Sequence, residues 1–196
     1  MFVNLVHEAF TLERKVVKIF VDLFTALSFA LITGLFSKIK MEMWPVPFTM
    51  QTVAVISSGL FLGKRLGMLS QIFYILLGLS GIPVFARGGG LHYLFSPTFG
   101  YLIGFPMASY LSGFAVEYIQ NGGFGTTIKL LLFLLISNFS IYLSGIPWLA
   151  IYTGYSLIKT VKVGFLPFIL GDLFKVFFSL FIFRILSGKT DNYGIC

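Results

Sequence analysis

Residues 163–186 read VGFLPFILGDLFKVFFSLFIFRIL, a hydrophobic run that contains an acid, Asp172, and a base, Lys175. About 20 consecutive apolar residues let a helix cross the hydrocarbon of a bilayer, so this stretch predicts a membrane-spanning helix. A charged side chain at the centre of such a helix costs roughly 2.5–3.5 kcal/mol on insertion scales, and such residues are usually functional. Residues three apart share one helical face, so both side chains can project into one cavity. We interpret the pair as part of a binding site for a small polar solute.

Two other interpretations of this pair are open. The opposite charges could neutralise each other and only stabilise the helix bundle, or Asp172 could relay protons. A proton relay usually involves further titratable groups, and the sequence places no second acid and no histidine near Asp172. The binding interpretation is therefore preferred to the relay.

The composition of the chain indicates an integral membrane protein of one domain. Hydrophobic residues make up 57% of its 196 residues and charged residues 11%, against roughly a quarter charged in soluble domains. The net charge of +7 comes from scattered Lys and Arg residues, which suit anionic lipid rather than nucleic acid. The lone cysteine, Cys196, excludes an internal disulfide and a thiolate metal cluster. No metal and no cofactor are expected.

Six apolar segments are predicted to be membrane helices of an all-α fold. They cover about residues 18–36, 48–62, 66–80, 99–118, 128–148 and 163–186. The short turn Gly63-Lys64-Arg65 makes the second and third segments a tight antiparallel hairpin. The expected organisation is an N-terminal segment over residues 1–17, a membrane domain over residues 18–187 and a tail over residues 188–196.

The distribution of cations predicts the orientation of these helices. An even number of helices puts both termini on one side, which receives Arg14, Lys15, Lys18, Lys64, Arg65, Lys129, Arg184 and Lys189. The opposite side receives fewer cations: Lys38, Lys40, Arg87, Lys159 and Lys162. Because cytoplasmic loops carry the excess of Lys and Arg, both termini are predicted to lie in the cytoplasm. The expected location is the cytoplasmic (inner) membrane. Asp172 then lies towards the outer side.

A glycine-rich stretch over residues 81–90 interrupts the hydrophobic pattern on the predicted outer side. Irregular backbone cannot face lipid, so this stretch is interfacial or folded against the bundle. The Arg87 guanidinium and the backbone N–H groups of Gly88 and Gly89 could together hold a carboxylate. The alternative is that Arg87 is a loop cation that only balances charge.

The first segment repeats small residues at a spacing of four: Ala26, Ala30 and Gly34. Such a face lets another helix approach closely, either within the same bundle or from a partner subunit.

Two enzymatic motifs receive little support. Gly78-Leu79-Ser80-Gly81 matches the short pattern around the serine of intramembrane proteases, but the only histidines, His7 and His92, are not on a predicted facing helix. The sequence contains no complete phosphate-binding loop of the form Gly-x4-Gly-Lys-Ser/Thr, because Phe183 stands where Gly188-Lys189-Thr190 would need the first glycine, so transport energy would come from a partner or an ion gradient. We do not expect an enzyme.

Several blocks resemble one known family, the BioY biotin-binding S components of energy-coupling-factor (ECF) vitamin transporters. The blocks are residues 45–52 (PVPFTMQT), 63–67 (GKRLG), 81–86 (GIPVFA), 96–105 (SPTFGYLIGF), 145–150 (GIPWLA) and 166–175 (LPFILGDLFK). They extend over nearly the whole membrane part. The chain departs from the family pattern at Arg87, where a small or amide residue is expected, and at Ser96, where glycine is usual.

The resemblance implies a six-helix S-component fold that captures biotin near the outer face. It implies that Asp172 and Lys175 contact the vitamin, and that a transmembrane coupling subunit and two ATPase subunits drive uptake. It also implies that Ala26 and Ala30 contact the coupling subunit.

The resulting hypothesis places the ureido head of biotin on Asp172 and Lys175 and its carboxylate near Arg87, Gly88 and Gly89. Gln51 is also expected to bind substrate, and Trp44, Trp148 and Tyr152 are expected to form aromatic walls. Three alternatives are open: an ion-coupled carrier of a small carboxylate vitamin that acts alone, a membrane hydrolase that uses Ser80, and a structural subunit without a ligand.

Overall fold

The computed structural model describes residues 2–119 and 124–190, most of which are helical. In chain order the elements are α1 (Phe2–Phe36), β1 (Lys40–Met41), β2 (Phe48–Thr49), α2 (Gln51–Leu79), a 3-10 turn (Leu91–Phe95), α3 (Phe99–Tyr118), α4 (Phe124–Thr153), α5 (Leu157–Gly164), a second 3-10 turn (Leu166–Phe168) and α6 (Ile169–Thr190). Helix α1 thus includes residues 2–17 of the predicted N-terminal segment. Residues 191–196 of the predicted tail lie outside the described residues.

Five helices among the described residues are long and apolar enough to cross a membrane. They are Arg14–Phe36, Gln51–Leu79, Phe99–Tyr118, Thr126–Thr153 and Leu157–Ser187. The last of these spans combines α5, the second 3-10 turn and most of α6. The helical membrane fold is confirmed, whereas the six separate membrane helices predicted from the sequence are not. The difference arises in α2, which combines the predicted second and third segments into one element interrupted at Gly63. Each of its two limbs is shorter than the ~20 residues of an untilted span.

Helix α2 folds back on itself at Gly63. This residue has φ 76° and ψ 174°, a conformation that glycine adopts without a steric penalty. Positions on either side of the turn then meet. A Cβ on Gly67 would lie 2.7 Å from the Gly59 Cα, and Gln71 Nε2 donates to Ser58 Oγ at 3.0 Å. The tight hairpin predicted from the sequence is confirmed.

The small-residue face of α1 packs within the chain. Ala26 and Ala30 are completely buried, and a Cβ on Gly34 would lie 3.0 Å from the Val84 Cβ. The neighbouring Thr33 is also buried and accepts a hydrogen bond from Gln71 Nε2 of α2 at 3.3 Å. In this structure the face therefore serves contact inside the bundle, and its contact with a partner subunit stays a prediction.

Two loops at one end of the bundle hold each other. Ser37 Oγ donates to the Val84 carbonyl at 2.7 Å, and Lys38 Nζ donates to the Phe85 carbonyl at 2.8 Å. Lys40 Nζ donates to the next carbonyl of the second loop at 2.7 Å. The first loop is closed by the antiparallel pairing of β1 with β2. Together the two loops form one wall of the cavity described next.

Candidate substrate-binding site

A cavity lies between these loops and helices α2, α3, α4 and α6. It encloses about 560 Å³ of space free of protein atoms, including the part that is open to solvent. Its lining is mainly apolar and aromatic, with a few polar side chains: Val46, Pro47, Thr49, Gln51, Thr52, Ala86, Tyr93, Thr98, Tyr101, Leu102, Phe105, Ile141, Tyr142, Phe168, Asp172 and Lys175. An apolar cavity with a few convergent polar groups is the usual form of a small-molecule site.

The acid and base predicted from the sequence both line this cavity. Asp172 lies in the first turn of α6 and Lys175 one turn later, and only 6% and 2% of their surfaces are exposed. Lys175 Nζ donates to Asp172 Oδ1 at 3.0 Å. The spacing of three residues therefore places both groups on one face, as predicted. The pair brings a donor and an acceptor side by side into a mainly apolar space.

The second carboxylate oxygen of Asp172 is held by helix α4. Asn138 Nδ2 donates to Asp172 Oδ2 at 2.9 Å, and the Tyr142 hydroxyl donates to the same oxygen. These two residues are four apart, so they share one face of α4. The sequence analysis did not identify them. Asn138, an amide inside an apolar segment, was the signal that could have indicated them, because polar residues in membrane helices usually have a specific partner.

The Lys175 ammonium is supported from the other side by an aromatic ring. Its Nζ lies 3.9 Å from the centre of the Phe48 ring, a cation–π contact. The Phe48 ring in turn stacks on Phe168, with centroids 6.3 Å apart. A Cβ on Gly171 would lie 2.2 Å from Phe48 Cε2, so glycine beside Asp172 leaves room for this ring. The Gly-Asp-x-x-Lys sequence thus has a packing reason for its glycine.

Gln51 and Thr52 bring polar atoms to the cavity from the start of α2. Gln51 Oε1 accepts a hydrogen bond from Thr49 Oγ1 at 2.9 Å, and Gln51 Nε2 donates to the Tyr74 hydroxyl. Gln51 therefore lines the cavity, and its contact with substrate stays a prediction. Thr52 Oγ1 is buried and has no hydrogen-bond partner among the described residues. Thr52 was not predicted to be part of the site, although it lines the cavity.

Arg87 lies at the rim of the cavity, outside its lining. Its Nε and Nη2 each lie 3.2 Å from Glu42 Oε2, and Nη2 also donates to the Met43 carbonyl at 2.9 Å. Its Nη1 donates to the Pro45 carbonyl at 3.3 Å. The neighbours of these residues, Ala86 and Val46, do line the cavity. Arg87 therefore fastens the first loop over the site, and its predicted contact with a carboxylate would occur at the edge.

The Glu42 carboxylate balances the positive charges at the rim of the cavity. It forms ion pairs with Lys40 and with Arg87. The hydrogen bond from Lys40 is the main cause that lowers the pKa of Glu42; desolvation opposes it, and the hydrogen bond from Arg87 lowers the pKa further. The carboxyl group is therefore ionised at neutral pH, which keeps the two loops connected.

The two predicted glycines are next to Arg87 but do not line the cavity. The Gly88 N–H donates to the Phe85 carbonyl at 3.2 Å, so it is already occupied in a small turn. A Cβ on Gly89 would lie 2.2 Å from the Ile82 carbonyl oxygen, which shows that Gly89 packs against the preceding loop. Their role in carboxylate binding stays a prediction.

The predicted aromatic walls lie elsewhere. Trp44 is 71% exposed and Tyr152 is 45% exposed. Trp148 Nε1 donates to the Ser96 carbonyl at 2.8 Å, and the side chain packs where a Cβ on Gly100 would be. The structure brings none of the three to the cavity lining. The aromatic lining comes instead from Tyr93, Tyr101, Phe105, Tyr142 and Phe168.

Ser80, the nucleophile of the hydrolase alternative, ends helix α2. Its hydroxyl donates to the Leu77 carbonyl at 2.8 Å. A serine nucleophile needs a base within hydrogen-bond reach, and the described residues provide Ser80 with none.

Comparisons with known proteins agree on one family. The model of the BioY family matches residues 11–190. A protein named as a probable biotin transporter BioY, from Pyrococcus horikoshii, is 38% identical over 166 residues, which cover 83% of this chain and 93% of the relative. The biotin transporter BioY of Thermotoga maritima is 35% identical over 146 residues, covering 70% of this chain and 79% of that protein.

A solved structure supports the same relationship. The crystal structure of the S component for biotin from an ECF-type ABC transporter is similar to this chain with a TM-score of 0.73 at 25% sequence identity. The similarity covers 87% of this chain and 93% of the crystallised chain.

Proposed function

The chain belongs to the BioY family, whose model matches residues 11–190, and we propose that it binds biotin as the substrate-capture subunit of an ECF-type transporter. The observation that carries this proposal is the Asp172–Lys175 pair, buried in an apolar cavity with its donor and acceptor side by side. Biotin carries a cyclic urea, whose N–H and C=O groups are also adjacent, a thioether ring and a carboxylate on a short alkyl chain. The urea and the thioether ring have matching parts of the cavity, and the carboxylate would reach its rim.

The ureido head would bind to the pair on α6. Asp172 Oδ1 would accept one ureido N–H, and Lys175 Nζ would donate to the ureido oxygen. A second ureido N–H could be donated to Thr52 Oγ1, which is buried and unpartnered in the described part of the chain. The thioether ring and alkyl chain would lie against the apolar walls that include Leu102, Phe105 and Phe168. Burial of these groups supplies hydrophobic affinity, while the polar contacts fix the orientation.

Uptake would require partners. The sequence contains no phosphate-binding loop, so we propose that a transmembrane coupling subunit and two ATPase subunits supply the energy. In the cytoplasmic membrane the two limbs of α2 would each count as a pass, which gives six passes and two cytoplasmic termini. Because Ala26 and Ala30 are covered in this structure, their contact with the coupling subunit would require α1 to move away from α2.

The binding of biotin is tested by calorimetry on the purified chain. We expect saturable binding of biotin, weaker binding of desthiobiotin, which keeps the cyclic urea but lacks the thioether ring, and no competition by lipoate, which has no urea. The urea is the group that matches Asp172 and Lys175. Competition by lipoate as strong as that by desthiobiotin would show that the site recognises an alkyl carboxylate instead, and absence of binding by biotin would refute the proposed function.

The carboxylate end of biotin is proposed to reach Arg87 at the rim. Arg87→Ala is then expected to weaken the binding of biotin about tenfold more than the binding of biotinamide, because a hydrogen bond to a charged group contributes about 1.5–3 kcal/mol. The neutral amide of biotinamide gains little from a cation. Both affinities are measured by calorimetry. Glu42→Gln is the matched control, since it loosens the same loop contact but keeps the guanidinium. Equal losses for both ligands in Arg87→Ala would show that Arg87 only fastens the loop.

A further inference from the structure

Two side chains of α4 share one oxygen of the key carboxylate. Asn138 Nδ2 lies 2.9 Å from Asp172 Oδ2, and the Tyr142 hydroxyl donates to the same atom. Lys175 Nζ is bound to the other oxygen, Oδ1, at 3.0 Å. All four residues are buried. In the absence of ligand, the Asp172 carboxylate therefore already accepts hydrogen bonds from one cation and two neutral donors.

A count of acceptor positions shows what is left for a ligand. An ionised carboxylate has about four lone-pair positions, two on each oxygen. Asn138 and Tyr142 fill both positions on Oδ2, and Lys175 fills one on Oδ1. One acceptor position remains, next to the ammonium group. Such a site fits an uncharged N–H beside a C=O and disfavours a cationic ligand, because Lys175 already balances the charge.

We infer that Asn138 and Tyr142 are positioning residues that set the ligand selectivity of the site through Asp172. This inference rests on the proposed binding of biotin and extends it to two residues outside the Asp172–Lys175 pair. Their hydrogen bonds occupy Asp172 Oδ2, so only Oδ1 can accept a hydrogen bond from the ligand. Their two hydrogen bonds add to the charge balance that Lys175 provides, and together they favour a neutral urea over its cationic analogue.

The other end of the Asn138 amide argues against a purely structural role. Asn138 Oδ1 is buried and has no hydrogen-bond partner among the described residues. An unsatisfied buried carbonyl opposes folding, and an apolar side chain of similar size such as leucine would avoid this cost. The role of Asn138 is therefore its hydrogen bond to Asp172 rather than the packing of α4.

The test compares biotin with 2-iminobiotin, in which a protonated C=NH₂⁺ group replaces the ureido C=O at neutral pH. In Asn138→Leu and in Tyr142→Phe we expect the affinity for biotin to fall about tenfold, the loss of one hydrogen bond to a charged group. The affinity for iminobiotin should fall less or rise, because the charge of Asp172 is less compensated. Calorimetry gives both constants. Tyr142→Phe keeps the ring that packs on Tyr101 and Phe165.

Ser137→Ala is the matched control. Ser137 is the residue before Asn138, is completely buried and donates to the Ala108 carbonyl of α3 instead of to the site. It should lower the melting temperature without changing the ratio of the two affinities, whereas Asn138→Leu should change the ratio. An unchanged ratio in Asn138→Leu and Tyr142→Phe would overturn the inference while the parent still binds biotin. A parent chain that does not bind biotin would overturn the inference together with the proposed function.

Discussion

Lys175→Met is expected to reverse the ligand preference of the site. In the parent chain the buried ammonium balances Asp172 and donates into the cavity. Its removal takes away the donor to the ureido oxygen and leaves an uncompensated buried carboxylate, so biotin should bind on the order of a hundredfold more weakly. The cation of 2-iminobiotin would replace the missing ammonium beside Asp172, so this analogue should bind more tightly to the variant than to the parent. Calorimetry with both ligands measures the reversal.

Two further variants separate this effect from a general loss of structure. Lys162→Met makes the same substitution at an exposed position of α5 and should leave both affinities within about twofold, as is usual for surface changes. The double variant Asp172→Asn with Lys175→Met removes both charges and should bind neither ligand well. If Lys175→Met weakened biotin and iminobiotin to the same extent, the ammonium would not be the partner of the ureido oxygen.

Gly59→Ala is expected to have the largest effect on stability. A Cβ on Gly59 would lie 2.1 Å from the carbonyl oxygen of Ser109 and 2.0 Å from the Ser112 hydroxyl, both on α3. A backbone carbonyl cannot rotate away, so α2 and α3 would have to separate. Overpacking of this kind costs about 1–3 kcal/mol or more, which lowers the melting temperature by on the order of 10 °C in a chain of this size. Thermal unfolding in detergent measures the shift.

Gly34→Ala is the control for this experiment. Gly34 is also inside a membrane helix, so the gain in helix propensity on replacing glycine with alanine is similar at both positions. Its Cβ would meet only the Val84 side chain, at 3.0 Å, on a loop that can give way. We expect a shift of only a few degrees. Equal shifts for the two variants would contradict the close approach of α2 to α3.

The central pair of the site could be predicted from the sequence because the signal was local. Charges are rare in membrane helices, and a spacing of three residues fixes a common face. The partners of the pair could not be derived in this way. Asn138 and Tyr142 lie on another helix, and Phe48 is at the end of a strand more than a hundred residues earlier. Only the packing of α4 and α2 against α6 brings them to Asp172 and Lys175.

The aromatic walls show where local reasoning failed to reach the cavity. Tryptophan and tyrosine residues on the predicted outer side were reasonable candidates for the walls of the site. The orientation of an aromatic side chain, however, depends on the space that neighbouring residues leave. Gly100 of α3 leaves space for the Trp148 side chain of α4, which packs there and does not line the cavity. Tyr101, one residue later, lines the cavity instead. Which aromatic side chain reaches the ligand depends on how α3 and α4 pack against each other.

The predicted count of six membrane helices was not confirmed for a related reason. Gly63 predicted the turn, and the structure has it. Hydropathy alone cannot tell whether two short apolar segments cross the membrane separately, because each limb of α2 is below the usual length of a span. Contacts between the limbs, such as Gln71 with Ser58, reveal the hairpin but are invisible to a hydropathy pattern.

The central claim is that Asp172 and Lys175 bind the ureido head of biotin, and a crystal structure of this chain with biotin tests it most directly. We expect one ureido nitrogen at about 2.7–3.2 Å from Asp172 Oδ1 and the ureido oxygen at a similar distance from Lys175 Nζ. The bonds from Asn138 and Tyr142 to Oδ2 should be retained. Biotin bound in the apolar groove between α1 and α2, beside Phe24 and Phe73, or with its carboxylate rather than its urea at Lys175, would contradict the claim.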